Sequence, residues 1–480
     1  MNIRVVLNVL GSLLIFLGLA VAVPVSFSVY YGDADVFALG CSAGGTIIVG
    51  VALHFANRKH HDIRIRESIA IVSLGWIVCA AAGALPFCLY SESLSFTDAF
   101  FEVMSGLTTT GASILTDIEA LPHGLLFWRS LTHWLGGMGI IVLSLAILPT
   151  LGVGGMQLFK AEVPGPSLDK IRPRIQQTAK LLWGVYVLLT LVQTVLLLLG
   201  GMNLFDALCH TFGTMATGGF STRNASMAAF PSAYLQTVVT VFMFLAGVNF
   251  TLHYKVLTGN WRACTRDSEL RLYFAVSAIS VLLIVANLVW FTKTWHGRTV
   301  LDAAFQVVSI ITTTGFASVD YEQWPFLSQG VLMGLMLVGG CAGSTAGGIK
   351  VIRILLLNKF TFIELKRILH PSAIIPVRVG GNAIADDIVA RVLGFVALYV
   401  FLLLAGAFLL AALGNDLATS LSAAIATLGN IGPGFAGVGP TENFAHFSIP
   451  AKWLLAFLML LGRLELYTLL TFLSASYWKK

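Results

Sequence analysis

A short segment that ends in glycine occurs four times along the chain, and no other feature constrains the fold as strongly. The copies are Ser105-Gly-Leu-Thr-Thr-Thr-Gly111, Gly213-Thr-Met-Ala-Thr-Gly-Gly219-Phe220, Ser309-Ile-Ile-Thr-Thr-Thr-Gly315-Phe316 and Thr427-Leu-Gly-Asn-Ile-Gly432-Pro433. An aspartate or threonine stands thirteen residues before the repeat glycine in every copy, at Asp98, Asp206, Asp302 and Thr419. One such run is most often a tight turn, whereas four in one register indicate a structural repeat.

The stretch before each repeat glycine is too short to cross a membrane. About twelve helical residues rise roughly 18 Å, which is little more than half of a hydrocarbon core of about 30 Å. Each stretch must therefore enter the membrane and return through its loop. Bare backbone at that depth is tolerated only where it lines a cavity or is buried in protein, and a ring of carbonyl oxygens replaces the hydration shell of a cation. The repeat therefore predicts a cation-selective pore.

The composition is that of an integral membrane protein, with 57% hydrophobic and 11% charged residues among 480 and a mean hydropathy of +0.86. The net charge of +6 indicates basic cytoplasmic loops rather than nucleic-acid binding, because the basic residues separate apolar spans. The six cysteines lack the spacing of a metal site or a disulfide framework. The first apolar run is too long for a signal peptide, so we expect it to be retained.

We predict an all-α integral membrane fold in which two N-terminal transmembrane helices precede four pseudo-symmetric units around one pore. Each unit holds a long span, a short half-span, a Thr/Gly loop and a second long span. The predicted division is residues 1–66 for the N-terminal helices and residues 67–175, 176–268, 269–382 and 383–480 for pore repeats one to four. The second long spans are predicted at residues 125–148, 234–255, 326–357 and 449–478.

Charge bias predicts the orientation of the chain. Lys- and Arg-rich loops lie at residues 57–66, 160–180, 255–271 and 350–378, and the chain ends in Lys479-Lys480. Such loops stay on the cytoplasmic side, so we predict a multi-pass protein of the cytoplasmic membrane with both termini inside.

The second span of the third unit contains five glycines, Gly339, Gly340, Gly343, Gly347 and Gly348, together with Ser344 and Thr345. Each glycine costs a helix up to about 1 kcal/mol relative to alanine, so we predict a break at residues 339–348. Close packing of an unbroken helix through small residues is the alternative. A loop at this depth would obstruct the pore and would move to open it.

Arg463 lies deep in the last span, where a cation is costly unless it faces a cavity or a partner. Either it neutralises a carboxylate such as Glu465, or it points into the pore, repels cations and pairs with the broken loop. We favour the second arrangement because residues two apart do not share a helix face.

Other buried polar residues are expected to be structural. We predict that Glu102 pairs with Arg129 and that His133 and His210 are packed and hydrogen-bonded. Two further cations, Lys350 and Arg353, either snorkel to the inner headgroups or meet a cytoplasmic partner.

These residues resemble the Trk/Ktr/HKT superfamily of potassium transporters, and within it the family of the bacterial TrkH membrane subunit. The resemblance covers nearly the whole chain. It rests on the four repeated segments, Arg129 ahead of Trp134-Leu-Gly-Gly-Met-Gly-Ile-Ile141, Ala161-Glu-Val-Pro-Gly-Pro166, Gly339-Gly-Cys-Ala-Gly-Ser-Thr-Ala-Gly-Gly-Ile-Lys350 and Gly462-Arg-Leu-Glu465.

The resemblance implies that backbone carbonyls of the repeats form a K⁺ filter. The implied filter residues are Thr109, Thr110, Gly111, Thr217, Gly218, Gly219, Thr313, Thr314, Gly315, Asn430, Ile431 and Gly432. Glycine at all four repeat positions goes with K⁺ in this family and serine at the first with Na⁺, so Gly111 indicates K⁺. The fourth copy departs from threonine, which leaves its part in selectivity open.

The resemblance also implies how the protein assembles and opens. It implies potassium uptake by a homodimer in which each chain holds its own pore, embedded in membrane lipid. The 339–348 loop and Arg463 would form the gate, under the control of a peripheral cytoplasmic ring protein that binds nucleotides. K⁺ would be the transported ion, and no organic cofactor is expected.

Two other classes of function are weighed against a conducting pore. A secondary transporter that couples K⁺ to H⁺ or Na⁺ needs a titratable or second ion site at the midplane, and the sequence places no carboxylate beside the four loops. An integral-membrane enzyme needs a nucleophile and base or a set of metal ligands near a membrane face, and we find neither pattern.

Overall fold

The computed structural model describes residues 1–57, 64–91, 94–139, 175–370, 372–373 and 375–479, and its secondary structure is almost entirely helical. The helices are α1 (Ile3–Tyr31), α2 (Val36–Ala56), α3 (Ile65–Tyr90), α4 (Phe96–Leu107), α5 (His123–Gly137), α6 (Ile175–Leu199), α7 (Leu204–Met215), α8 (Ala233–Ala246), α9 (Phe250–Leu257), α10 (Arg262–Arg266), α11 (Ser268–Thr292), α12 (Gly297–Ile311), α13 (Phe326–Met336), α14 (Val351–Leu369), α15 (Asp386–Ala412), α16 (Leu417–Leu428), α17 (Ile449–Arg463), α18 (Tyr467–Leu473) and α19 (Ala475–Trp478). Three short 3₁₀ turns lie at Ser226–Ala229, Tyr321–Gln323 and Ala436–Val438. A single antiparallel pair of two-residue strands, β1 (Arg378–Val379) and β2 (Asn382–Ala383), is the exception among the described residues.

Long apolar helices carry the chain across the membrane. Six helices of the described part are long and apolar enough to span it, and two bent pairs, α8 with α9 and α17 with α18, bring the number to as many as eight. The integral membrane character predicted from composition is therefore confirmed.

The four short helices α4, α7, α12 and α16 start at the predicted half-spans. Three of them begin with a side-chain cap: Ser95, Asn203 and Asp416 each accept a hydrogen bond from the backbone N–H three residues ahead. Such a cap satisfies one of the amides that a helix leaves unpaired at its start. α4, α7 and α16 are twelve residues long, so each stops at about half the depth of the membrane.

The second long spans of units two and four, predicted from the sequence as continuous spans, are bent. The span predicted at 234–255 turns by 102° between Ala246 and Phe250, and the one at 449–478 turns by 119° between Arg463 and Tyr467. In the second bend Glu465 and Leu466 take left-handed backbone, which no α-helix continues through.

The break predicted at 339–348 is confirmed. α13 ends at Met336 and α14 begins at Val351, and the fourteen residues between them contain no helix.

Some predictions concern residues outside the described part of the chain. These are the end of the span at 125–148, most of the basic loops 57–66 and 160–180, Ala161–Pro166 of the resemblance and Lys480. The division into four units stays a prediction.

Candidate functional site

All four short helices end in the same backbone conformation. The residue two places before the repeat glycine is left-handed in every copy, with φ between 54° and 57° at Thr109, Thr217, Thr313 and Asn430. The repeat glycines are left-handed as well, with φ of 82° at Gly111, 79° at Gly219, 78° at Gly315 and 97° at Gly432. This backbone costs a residue with a side chain roughly 1–2 kcal/mol, so its fourfold recurrence marks a geometry that the fold enforces.

One hydrogen bond closes each of these loops onto its own helix. Backbone N–H groups of Thr110, Gly218, Thr314 and Ile431 donate to the carbonyl oxygens of Ser105, Gly213, Ser309 and Ala426 over 2.8–2.9 Å. We call residues 109–111, 217–219, 313–315 and 430–432 return loops one to four. They are copies of one local structure, as the register of the sequence repeat predicts.

The return loops follow one another around a common axis. A Cβ added to each repeat glycine would overlap a backbone carbonyl oxygen of the next loop: Gly111 faces Gly218, Gly219 faces Thr314, Gly315 faces Ile431 and Gly432 faces Thr110. This succession returns to its start, so the four loops form a closed ring. All twelve residues named from the sequence therefore come together, and only glycine fits at the four contacts.

Polar side chains of three short helices bind the chain segment that follows the repeat glycine. The position nine residues before the repeat glycine carries Glu102, His210 or Gln306, and each bonds a serine that follows its glycine. The distances are 3.0 Å to Ser113, 2.9 Å to Ser221 and 3.4 Å to Ser318. The short helices that lead into the return loops therefore also hold the residues that follow these loops.

Glu102 and Arg129 form the buried pair that the sequence predicts. Arg129 Nε donates to Glu102 Oε1 at 2.6 Å, its Nη1 donates to the Ser221 carbonyl at 2.9 Å, and its guanidinium lies 3.5 Å from the Phe220 ring centre. Glu102 also accepts from the backbone N–H of Ile114. The expectation that no carboxylate lies beside the loops is therefore wrong for loop one, but this carboxylate is fully engaged in structural bonds.

His133 joins loops one and two from behind. Its Nε2 accepts from the Phe220 N–H at 3.1 Å, so its Nδ1 carries the proton and donates to the Gly106 carbonyl at 2.8 Å. A Cβ on Gly218 would meet the imidazole ring. His210 is held by Asp206 and Ser221, so both histidines are packed and hydrogen-bonded as predicted.

The aspartates thirteen residues before the repeat glycine are paired with cations. Asp98 binds Lys452 at 2.6 Å, Asp206 lies 3.5 Å from Arg223, and Asp302 lies 3.2 Å from Arg298. These carboxylates therefore anchor the N-terminal ends of the short helices, which we call their outer ends, and are already neutralised.

The 339–348 loop is a narrow hairpin whose two limbs are bonded to each other. Gly339 N–H donates to the Ile349 carbonyl at 2.9 Å, and Val351 N–H donates to the Gly340 carbonyl at 3.1 Å. Gly348 packs against Gly339, and Ser344 Oγ donates to the Cys341 carbonyl. The interrupted segment therefore has a defined shape.

The tip of this loop lies against the return loops on the side where the short helices end. Gly347 N–H donates to Thr313 Oγ1 at 2.7 Å, and a Cβ on Gly347 would overlap the Gly429 carbonyl. Thr345 Oγ1 donates to the Met215 carbonyl at 3.1 Å. The 339–348 loop therefore contacts the end of α7 and return loops three and four. It lies against the end of the ring at which the short helices stop, which we call the inner end.

Arg463 pairs with the broken loop, as the favoured arrangement predicts. Its Nη1 donates to the Thr345 carbonyl at 2.9 Å, and its Nη2 donates to the carbonyls of Gly136 and Gly137, the latter at 3.0 Å. Glu465 instead forms an ion pair with Arg353. Arg463 therefore ties the loop tip to the end of α5.

Lys350 and Arg353 are engaged inside the protein, which differs from both arrangements considered for them. Lys350 Nζ donates to the Ala346 carbonyl within the loop, and Lys350 is buried. Arg353 is buried against Glu465 and Phe395. Neither side chain is extended toward headgroups or solvent.

Two contacts of the 339–348 loop were not found from the sequence. The bend between α8 and α9 receives the loop: Cys341 N–H donates to the Gly247 carbonyl, and Phe250 N–H donates to the Gly343 carbonyl. Glu269 of α11 binds the loop as well. Gly247 and Asn249 in an apolar span are a weak signal of a break, whereas Glu269 looks like an ordinary first-turn acid.

Comparisons with known proteins agree over the whole length. A family model described as cation transport protein, TrkH, matches residues 43–480. The chain is 41% identical over 487 aligned positions to the Trk system potassium uptake protein TrkH of Escherichia coli K12, covering 100% of both chains. It is 34% identical over 484 positions to TrkG of the same strain, covering 100% of this chain and 99% of that one. The crystal structure of the potassium transporter TrkH from Vibrio parahaemolyticus superposes with a TM-score of 0.90 at 37% identity, covering 100% of both chains.

Proposed function

Because this chain belongs to the TrkH family of cation transport proteins and is therefore a transport protein rather than an enzyme, we propose that it carries K⁺ into the cell through the ring of return loops. The carbonyl oxygens of the twelve ring residues would replace the hydration shell of the ion. K⁺ is the substrate of this pore. The relatives with the same full-length architecture are potassium uptake proteins, which supports the choice of ion.

The closed ring of glycine contacts carries this proposal. Each repeat glycine lies against a carbonyl of the next loop, so four stretches of backbone converge where the short helices end. The C-terminal ends of those helices add partial negative charge toward the same point, which favours a cation. A ring closed by such contacts holds its oxygens at fixed spacing, and fixed spacing with many carbonyl dipoles is what selects among alkali ions.

The 339–348 loop and Arg463 form the gate in this proposal. The loop lies across the inner end of the ring, and the Arg463 guanidinium holds its tip at Thr345. A positive charge at that depth also opposes cation entry. Opening then requires the loop to leave the ring and Arg463 to release the Thr345 carbonyl.

The membrane, the oligomeric state and the partner of this pore belong to the same proposal. The protein would lie in the cytoplasmic membrane as a homodimer with one pore per chain and with both termini inside. A cytoplasmic ring protein that binds nucleotides would act on the gate from the inner side. The basic loops support this orientation, since such loops stay in the cytoplasm.

Passive conduction is preferred over coupling of K⁺ to H⁺ or Na⁺. Coupling needs a carboxylate that binds the second ion near the midplane. Glu102 is a carboxylate beside the return loops, and it is bonded to Arg129, Ser113 and Ile114. A carboxylate so engaged is not available to a driving ion.

Reversal potentials across reconstituted bilayers test the proposal. With a tenfold K⁺ gradient, a K⁺-selective pore reverses near the K⁺ equilibrium potential and keeps that value when a pH gradient is imposed. A reversal potential that follows the pH gradient would refute uncoupled conduction. Absence of K⁺ flux under any gradient in both the wild type and Arg463→Ala, whose loop tip is released, would refute the transport proposal itself.

A further inference from the structure

One buried carboxylate joins the two limbs of the 339–348 loop to a different helix. Glu269 stands in the first turn of α11 and is only 8% exposed. Its Oε1 accepts from the backbone N–H of Ala342 at 2.7 Å and from that of Ile352 at 3.0 Å. Ala342 belongs to the incoming limb and Ile352 follows the outgoing limb, so a single oxygen atom spans the base of the loop.

The contact at Ile352 is a helix cap supplied from another helix. The first amides of α14 have no partner within the helix, and its N-cap residue Lys350 provides no side-chain acceptor. A carboxylate at this point satisfies an orphan amide and lies at the positive end of the helix dipole. Bonds from amides to an ionised acceptor are also stronger than neutral ones. Glu269 therefore fixes where α14 begins, and with it where the loop ends.

The base and the tip of the loop are held by different parts of the chain. Arg463 and Thr313 hold the tip, at Thr345 and Gly347. Glu269 holds the base, and it lies two residues after Asp267, which caps α11 where the cytoplasmic connection through α10 ends. The Glu269 side chain is the link by which a movement of that connection reaches the base of the loop from α11.

We infer that Glu269 is the positioning residue that keeps the 339–348 loop in its blocking place, and that withdrawal of the start of α11 releases the loop. The inference rests on the proposed gate. It assigns to α11 the mechanical link between the cytoplasmic surface and a loop that lies across the ring.

The experiment compares two changes of carboxylate to amide on the same helix end. Glu269→Gln keeps the size of the side chain but removes the charge that strengthens both bonds. Asp267→Asn removes a charge two residues away while leaving a good N-cap, because asparagine caps helices as well as aspartate does. Flux of ⁸⁶Rb⁺ into K⁺-loaded proteoliposomes is measured without any partner protein and normalised to the protein incorporated.

Basal flux is expected to rise about tenfold in Glu269→Gln, since weakening two charge-assisted bonds shifts the loop equilibrium by about that factor. It is expected to stay at the wild-type level in Asp267→Asn. Equal flux in wild type and Glu269→Gln would overturn the inference while leaving the proposed transport intact. Absence of flux in the wild type, in both variants and in Arg463→Ala, which loses the bond at the loop tip, would instead refute the proposed function.

The labelling rate of a native cysteine distinguishes release of the loop from a general loosening of the fold. Cys341 lies in the loop and Cys79 lies in α3, and each is 1% exposed. Labelling by N-ethylmaleimide, followed for each peptide by mass spectrometry, is expected to accelerate severalfold at Cys341 in Glu269→Gln and to stay slow at Cys79. Faster labelling of both would mean that the fold has loosened, and unchanged labelling of Cys341 would mean that the loop has not moved; either result would overturn the positioning role.

Discussion

The ring of return loops differs in construction from the second long spans and the 339–348 loop that lie on its inner side, which we call the layer beneath it. The ring repeats one backbone conformation four times, with left-handed residues at matching positions and each glycine against the next loop. In the described part of the chain the layer beneath it shows no such repeat: the second span of unit two bends by 102°, that of unit four bends by 119°, and that of unit three is interrupted between α13 and α14 by the 339–348 loop. The two regions are in direct contact at Thr313 and Gly347.

This difference follows from what holds each region. The ring is held by backbone contacts at glycines, where nothing larger fits, so it has a single arrangement. The loop has two backbone bonds to the bend between α8 and α9. Its tip and its base are held by single side chains, Arg463 and Glu269, whose bonds are exchangeable for others. An element that moves between two positions must be held in each by only a few polar bonds of this kind. Close packing around a ring instead resists movement.

The largest effect is expected from a methyl group placed in the ring. In Gly219→Ala the new Cβ overlaps the Thr314 carbonyl, and φ of 79° is strained for alanine. We expect K⁺ flux to fall below detection in the reconstituted assay. Gly201→Ala is the matched control, since φ is 89° there but no atom lies within 4 Å of the added Cβ. Normal flux through Gly219→Ala would contradict the rigid ring.

Removal of Arg463 should act on the layer beneath and leave the ring unchanged. Arg463→Ala loses the bonds to Thr345 and to the end of α5. We expect basal K⁺ flux to rise about tenfold without a partner, since each bond to a charged donor contributes roughly 1.5–3 kcal/mol. Arg391→Ala removes an arginine that is 79% exposed and serves as the control. Unchanged flux in Arg463→Ala, or a lost preference for K⁺ over Na⁺, would argue against the separation of gate and ring.

A smaller effect is expected where the fourth loop departs from the other three. Asn430 Nδ2 donates to Thr110 Oγ1 at 3.0 Å and to the Met459 carbonyl at 2.9 Å, and Asn430→Thr gives up both bonds while matching the sequence of the other copies. The ring then loses a tie between loops four and one. We expect a severalfold lower K⁺/Na⁺ permeability ratio with K⁺ conductance retained. A higher ratio would mean that fourfold identity, rather than this tie, sets selectivity.

The smallest effect is expected at the outer ends of the short helices. Lys452→Ala frees Asp98 from its ion pair. Lys452 is only 8% exposed, so loss of the pair leaves Asp98 without its cation in a mostly buried place, and the melting temperature should fall by several degrees. K⁺ flux should stay within about twofold of wild type, because we assign these carboxylates an anchoring role. A large rise in flux at low K⁺ would show that Asp98 attracts cations.

The ring could be predicted closely because it depends on local sequence. The Thr/Gly runs, the thirteen-residue register and the short length of each half-span indicated where the chain turns back. The pair of Glu102 with Arg129 and the break at Gly339–Gly348 followed from the cost of buried charge and of helical glycine. The two bent spans were missed, because apolar periodicity continues through Gly247 and Leu464 without a breaker strong enough to stand out.

The sequence by itself determined that the chain lies in a membrane, that four segments enter it and return, and that one span is interrupted. These are consequences of hydropathy, of helix length and of glycine, which act within a few residues of one another. The sequence favoured a bond between Arg463 and the broken loop, but the tertiary structure alone decided that its partner is the Thr345 carbonyl. It also decided that Arg353 pairs with Glu465 and that Glu269 spans the base of the loop. The partners in these bonds are separated by more than seventy residues, and a buried charge binds whichever backbone group or opposite charge the packing of helices brings within reach.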